Sequence, residues 1–157
     1  MRQPIRAVLG VLLCLSAEAS YADEPKVEYL RPPGLVSSPM FSQVTTVSSG
    51  KLVFVSGQVS WDEQGKPVHP NDLRAQTRRT FENLQAALAA AGGTLENVVK
   101  LNIYVVNLDR EKWRMVGEER AKYISKTTPP ASTMVGVPSL VLDELLIEIE
   151  AVAVVKE

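Results

Sequence analysis

Cysteine and histidine are almost absent from this chain. It holds one of each, Cys14 and His69, in 157 residues. A single cysteine cannot close an intrachain disulfide, and zinc sites generally need a cluster of His, Cys or carboxylate ligands. No metal and no cofactor is expected. Basic runs are missing too. Seventeen Lys and Arg stand against 18 Asp and Glu, for a formal net charge of −1. Nucleic-acid binding draws on a basic stripe that releases counterions, so no nucleic-acid partner is expected. There is no internal repeat, no low-complexity segment and no Gly-rich phosphate loop.

What remains suits one folded domain. Hydrophobic residues make up 45% and charged residues 22% of the chain, a globular composition. The start has a separate character. Arg2 and Arg6 precede an apolar run from Ala7 to Leu15, and Ser20-Tyr21-Ala22 puts small residues before Asp23. That is the pattern of a secretory signal. The run is shorter than the roughly 20 residues that cross a bilayer, and bulky Leu13 before Cys14 argues against a lipid anchor. The expected organisation is a leader over 1–22, an extended lead-in over 23–39 and a domain over 40–157. The expected location is the periplasm or the exterior, with no membrane attachment once the leader is removed.

The end of the chain is the most informative part. Strand side chains alternate faces. Over 145–155 the odd positions are wholly apolar: Leu145, Ile147, Ile149, Ala151, Ala153 and Val155. The even positions read Leu146, Glu148, Glu150, Val152 and Val154. A solvated face would not carry so many aliphatics, and a dry one would not carry two unpartnered carboxylates. The even face is expected to line a cleft or a subunit interface. The plainer alternative is two rim carboxylates paired with Lys or Arg.

The other elements follow from pattern. A short strand is expected at residues 26–30. Val/Thr/Phe-rich runs at 42–48 and 51–59, joined by Ser49-Gly50, predict a β-hairpin. A helix beginning at Asn71 or Asp72 carries the stripe Leu73, Thr77, Phe81, Leu84, Leu88, Ala91 and stops at Gly92-Gly93. A strand follows over 98–106. Asp109 is a good N-cap, and Leu108 and Trp113 have the spacing of a hydrophobic staple. Trp113, Val116, Tyr123 and Ile124 form the expected core stripe of the second helix. Pro129-Pro130 ends that stretch. Strands at 131–137 and 145–155 complete the order β, β, β, α, β, α, β, β. This is a two-layer α+β domain, with two helices on one face of a mixed sheet of about six strands. The uncovered face is rich in aliphatics, which self-association would bury. His69, in a Gly/Pro loop, is expected to be solvated.

Several stretches resemble the reactive intermediate deaminase family, also called Rid or YjgF. They are Ser56-Gly57-Gln58, the Ala-rich helix ending in Gly92-Gly93, Val98-Val99-Lys100-Leu101-Asn102-Ile103-Tyr104-Val105, Pro130-Ala131, and Ile147-Glu148-Ile149-Glu150-Ala151-Val152-Ala153. The resemblance runs over about 41–154. It implies a chorismate-mutase-like α+β fold, a homotrimer and a small-molecule cleft between subunits. Family members hydrolyse enamines and imines such as 2-aminoacrylate to ammonia and a 2-oxo acid. A fifth-strand arginine grips the substrate carboxylate through a two-pronged contact, and a glutamate matching Glu148 handles the attacking water.

The chain departs from that pattern. Ser132 stands where the family has its arginine, Gly117 where the deaminases have an asparagine, and Met40 or Phe41 where they have a tyrosine. Losing a charge-assisted bond of about 1.5–3 kcal/mol weakens binding roughly ten- to hundredfold. An arginine elsewhere, such as Arg31, would be needed to compensate. By resemblance the candidate catalytic residue is Glu148, and the candidate ligand-binding residues are Phe41, Ser56, Ser132 and Thr133. The first reading is a small-molecule protein without the usual 2-iminopropionate deaminase activity. The second is an enamine or imine deaminase, a hydrolase of altered specificity. The third is a ribonuclease, a label often given to this family.

Overall fold

A computed structural model describes residues 24–157. The expected leader, 1–22, lies outside the described residues. Six strands and two α-helices follow in the expected order: β1 Lys26–Leu30, β2 Val44–Ser49, β3 Lys51–Val59, α1 Leu73–Ala90, β4 Val98–Val106, α2 Arg110–Arg120, β5 Ala131–Val137 and β6 Ile147–Val155.

The strands form two sheets. β1 and β2 pair with each other, and the larger sheet has the order β3-β6-β4-β5. β6 runs antiparallel to both neighbours, while β4 and β5 are parallel. A parallel pair needs a crossover, and α2 supplies it. The expected β2–β3 hairpin does not form. Gly50, at φ +109°, carries the chain out of one ladder and into the other. There a Cβ would crowd Val154 and the Val155 carbonyl. Tertiary pairing overrides the local turn signal. β6 offers β3 a partner from Lys51↔Val155 to Val59↔Glu148, and β1 takes β2.

α1 begins where Asp72 caps the Ala75 N–H at 2.9 Å. It ends where Gly92, at φ +77°, allows the Gly93 N–H to reach the Leu88 carbonyl at 2.9 Å. Between these stops Phe81, Leu84 and Leu88 are fully buried against Leu101, Ile103, Val105, Ile147 and Ile149. Each such side chain contributes about 1.5–3 kcal/mol of hydrophobic stabilisation. Tyr123 stacks on Phe81 at 4.8 Å between centroids.

Two expectations for α2 need correction. The helix ends at Arg120, and tight turns from Lys122 to Glu119 and from Tyr123 to Arg120 follow it. Trp113 is 57% exposed; only Val116 and Ile124 of its expected stripe are buried. Glu119 and Arg120, which the expected stripe did not include, are both buried.

Candidate functional site

Register decides which candidates meet. Partners in a ladder share a face. Ser132 is opposite Leu101, on the helix side of the sheet, while Thr133 is opposite Asn102, on the open side. Glu148 is opposite Tyr104, and Glu150 opposite Asn102, so both acids are on the open side. The five candidates thus divide. Phe41 and Ser132 share a cavity on the helix side. Ser56 lies beside Glu150 on the open side. Thr133 is exposed there, accepting a 2.9 Å hydrogen bond from Lys100 Nζ.

The helix-side cavity has a volume of about 630 Å³ and is bounded by Met40, Phe41, Gly117, Arg120, Ser132 and Met134, among others. Its far wall is pinned by the neighbouring Ser42. The Ser42 N–H donates to the Pro130 carbonyl at 3.2 Å, and its hydroxyl donates to the Pro129 carbonyl at 2.7 Å. The segment carrying Met40 and Phe41 is thereby held against the start of β5. Gly117 leaves space rather than relieving strain: a Cβ there would meet only the Met40 methyl, at 3.7 Å. The three positions that depart from the deaminase pattern thus lie around one cavity.

On the open side the two acids differ. The Glu150 carboxylate accepts from Asn102 Nδ2 at 2.6 Å and from Tyr104 Oη at 3.1 Å. Its hydrogen bond, with burial behind it, raises the Tyr104 hydroxyl above the usual tyrosine range. Glu148 has no hydrogen-bond donor among the described residues. Partial burial, and then the charge of Glu150, raise its carboxyl above the usual glutamate range. Neither acid is in an ion pair among the described residues, which corrects the reading of Lys- or Arg-paired rim carboxylates. Gly57 makes room for Glu148: a Cβ at that position would overlap Glu148 Oε1. A half-buried carboxylate with no fixed partner and raised proton affinity is suited to accept a proton from water and return it.

Sequence reasoning missed Arg120. Arg31, offered as a possible replacement for the absent arginine, is exposed and is not among the residues bounding the cavity. Arg120 bounds the cavity and is 4% exposed. Among the described residues its Nε and Nη2 have no hydrogen-bond partner. The signal was present in the spacing: Arg120 is four residues from both Val116 and Ile124, in the apolar stripe of α2. Among the described residues no group of three or more His, Cys, Asp and Glu gathers to hold a metal, and no helix is long and apolar enough to cross a membrane.

Comparison with known proteins shows what the chain and its fold are similar to. The model of a family described as Endoribonuclease L-PSP matches residues 35–155. The RutC family protein PH0854 of Pyrococcus horikoshii is 35% identical over 107 residues, 68% of this chain and 82% of its own. A solved Rid-family protein of unknown function, YyfB of Yersinia pestis, superposes with a TM-score of 0.76 at 34% identity, over 82% of this chain and 98% of that one. The structure of E. coli TdcF with bound serine gives a TM-score of 0.58 at 30% identity, over 69% of this chain and 84% of that one.

Proposed function

The chain belongs to the Endoribonuclease L-PSP family, the Rid or YjgF family of its relatives, and has the chorismate-mutase-like α+β fold. From that premise we propose that it is an exported homotrimer binding or converting a small metabolite in clefts between subunits. One observation carries the reading. Ser132 and Glu148 lie on opposite faces of the same sheet, so a site using both is completed by a second copy. The open face also carries what an interface would bury: Phe54 is 75% exposed, with exposed Leu52 on the same edge strand and exposed Val135 on the opposite one. Burying such a phenylalanine is worth about 1.5–3 kcal/mol.

In this cleft Glu148 handles water. Without the family's fifth-strand arginine, the protein lacks the usual 2-iminopropionate deaminase activity. The second reading, a deaminase of altered specificity, is favoured by the unpaired state of Glu148. In that reaction the carboxylate takes a proton from water as oxygen bonds to the imine carbon. The proton is returned to nitrogen to give a carbinolamine, whose hydroxyl proton then passes to nitrogen as the C–N bond breaks and the carbonyl forms, so that ammonia leaves. The ribonuclease reading has less support, since the chain has one histidine and a net negative charge.

Light scattering tests the assembly: three times the protomer mass is expected, and a stable monomer at micromolar concentration contradicts the shared cleft. A thermal-shift screen of imines, enamines and aldehydes tests the chemistry. Glu148→Gln should remain folded and abolish the turnover or binding that the screen finds. In a coupled amino-acid oxidase assay, hydrolysis of 2-iminopropionate should be weak, and Ser132→Arg should raise it. A wild-type rate close to that of an arginine-bearing relative would promote the deaminase reading. Mass spectrometry of protein from its host should find Asp23 as the first residue; an intact Met1 in the cytosol would exclude export.

A further inference from the structure

We infer that Arg120 makes the helix-side cavity a carboxylate site, with the cation supplied by α2 instead of β5. This deepens the cleft reading above and rests on it for the cavity's role. The argument begins with cost. A buried charge normally has fixed partners, because desolvation without them is expensive. Arg120 is 96% removed from solvent, yet its Nε and Nη2 meet no acceptor among the described residues. Burial pushes its guanidinium down to about 10, still protonated at neutral pH. The acids nearest in sequence are engaged elsewhere. Glu119 takes Arg74, Arg78 and Lys122, while Glu118 takes Arg74 and Arg114.

The cavity edge adds charge of the same sign. Arg114, Lys126 and Arg120 outnumber Glu118 among its bounding residues. The remaining surface is largely apolar, with Met40, Phe41, Trp113 and Met134. A planar guanidinium fork matches a carboxylate in two-pronged geometry, and the neutral hydroxyl of Ser132 can donate one further hydrogen bond. The fitting ligand is a monocarboxylate with an apolar body. A volume of about 630 Å³ falls within the roughly 300–1,000 Å³ of small-molecule pockets and suits more than a three-carbon acid. Moving the cation to α2 also moves the carboxylate relative to Glu148. Anion binding and poor use of 2-iminopropionate are therefore compatible.

Phenylacetate and its neutral isostere phenylacetamide separate charge from shape, with binding followed by ligand-observed NMR titration. Wild-type protein should favour the acid by about ten- to hundredfold. Arg120→Met, close in length and apolar, should abolish that preference while keeping amide binding. Arg120→Lys keeps the charge without the fork and should retain only part of it. Equal affinity of the wild type for acid and amide overturns the proposal, as does a preference that survives Arg120→Met or no phenylacetate binding at millimolar concentration. The wild-type comparison stands even if a variant fails to fold. None of these readouts depends on Glu148 or on turnover, so a failed Glu148→Gln test leaves this result separate.

Discussion

The two sides of α2 treat buried charge in opposite ways. On the side facing α1, the fully buried Glu119 receives Lys122 Nζ at 2.8 Å, Arg78 Nε at 3.3 Å and Arg74 Nη1 at 3.5 Å. Burial opposes its charge, but Lys122 and Arg78 hold its carboxyl below the usual glutamate range. On the side facing the cavity, the next residue, Arg120, is almost as buried and has no acceptor among the described residues for two of its nitrogens. A structural charge is satisfied within the protomer. A charge left unsatisfied destabilises the fold unless something outside the protomer completes it, and this contrast points to the cavity as a place for a ligand.

The contrast predicts opposite signs at adjacent positions. Glu119→Ala should cost about 2 kcal/mol, since it removes charge-assisted hydrogen bonds. Arg120→Met should instead stabilise the ligand-free protein by about 1–3 kcal/mol, because an unpaired buried cation gives way to an apolar chain. Urea denaturation of both variants measures the pair; destabilisation by both would erase the distinction. Gly117→Ala tests the cavity side more finely. Glycine inside a helix is about 0.5–1 kcal/mol worse than alanine, and nothing closer than 3.7 Å opposes the new methyl. A stabilised variant is expected, and lost stability would mean that Gly117 serves the fold.

The open face extends the contrast to Glu150, which is bonded, and Glu148, which is not. Gly57→Ala should keep the fold, because the overlap falls on the mobile end of a side chain, but it should displace the Glu148 carboxylate and reproduce the functional loss of Glu148→Gln. Wild-type ligand response in a folded Gly57→Ala protein would separate Glu148 from the site. The smallest expected effect is on pH dependence. A carboxyl raised in the folded state binds its proton more tightly there than in the unfolded chain. Its stabilising contribution is full below the usual glutamate range and is lost as pH rises through the raised value. Glu148→Gln should therefore gain stability relative to wild type as pH rises through that window, read from paired melting curves. A difference constant across that window would show that Glu148 is not shifted.

Much of this architecture was legible beforehand, for specific reasons. β1, β3, β4 and β5 have the expected bounds because alternation and flanking Gly or Pro mark strands locally. The caps Asp72 and Asp109 were legible because a side chain reaching an N–H three residues ahead is a local geometry. The hairpin failed because a turn signal cannot report that a distant strand competes for the same edge. Trp113 failed because helical spacing identifies a stripe without saying how far a neighbouring element extends over it.

The sequence alone determined that the last strand has an apolar face and an acid-bearing one, because alternation is a property of the extended backbone. It also determined the family resemblance and the absence of an arginine at position 132. Only the tertiary structure decided that Ser132 and Glu148 occupy opposite faces of one sheet, because register is set by pairing between segments remote in the chain. It likewise separated Glu119 from Arg120. Adjacent helical residues project about 100° apart, so what each meets depends on the elements packed around α2. One meets the cations of α1 and Lys122, and the other meets a cavity.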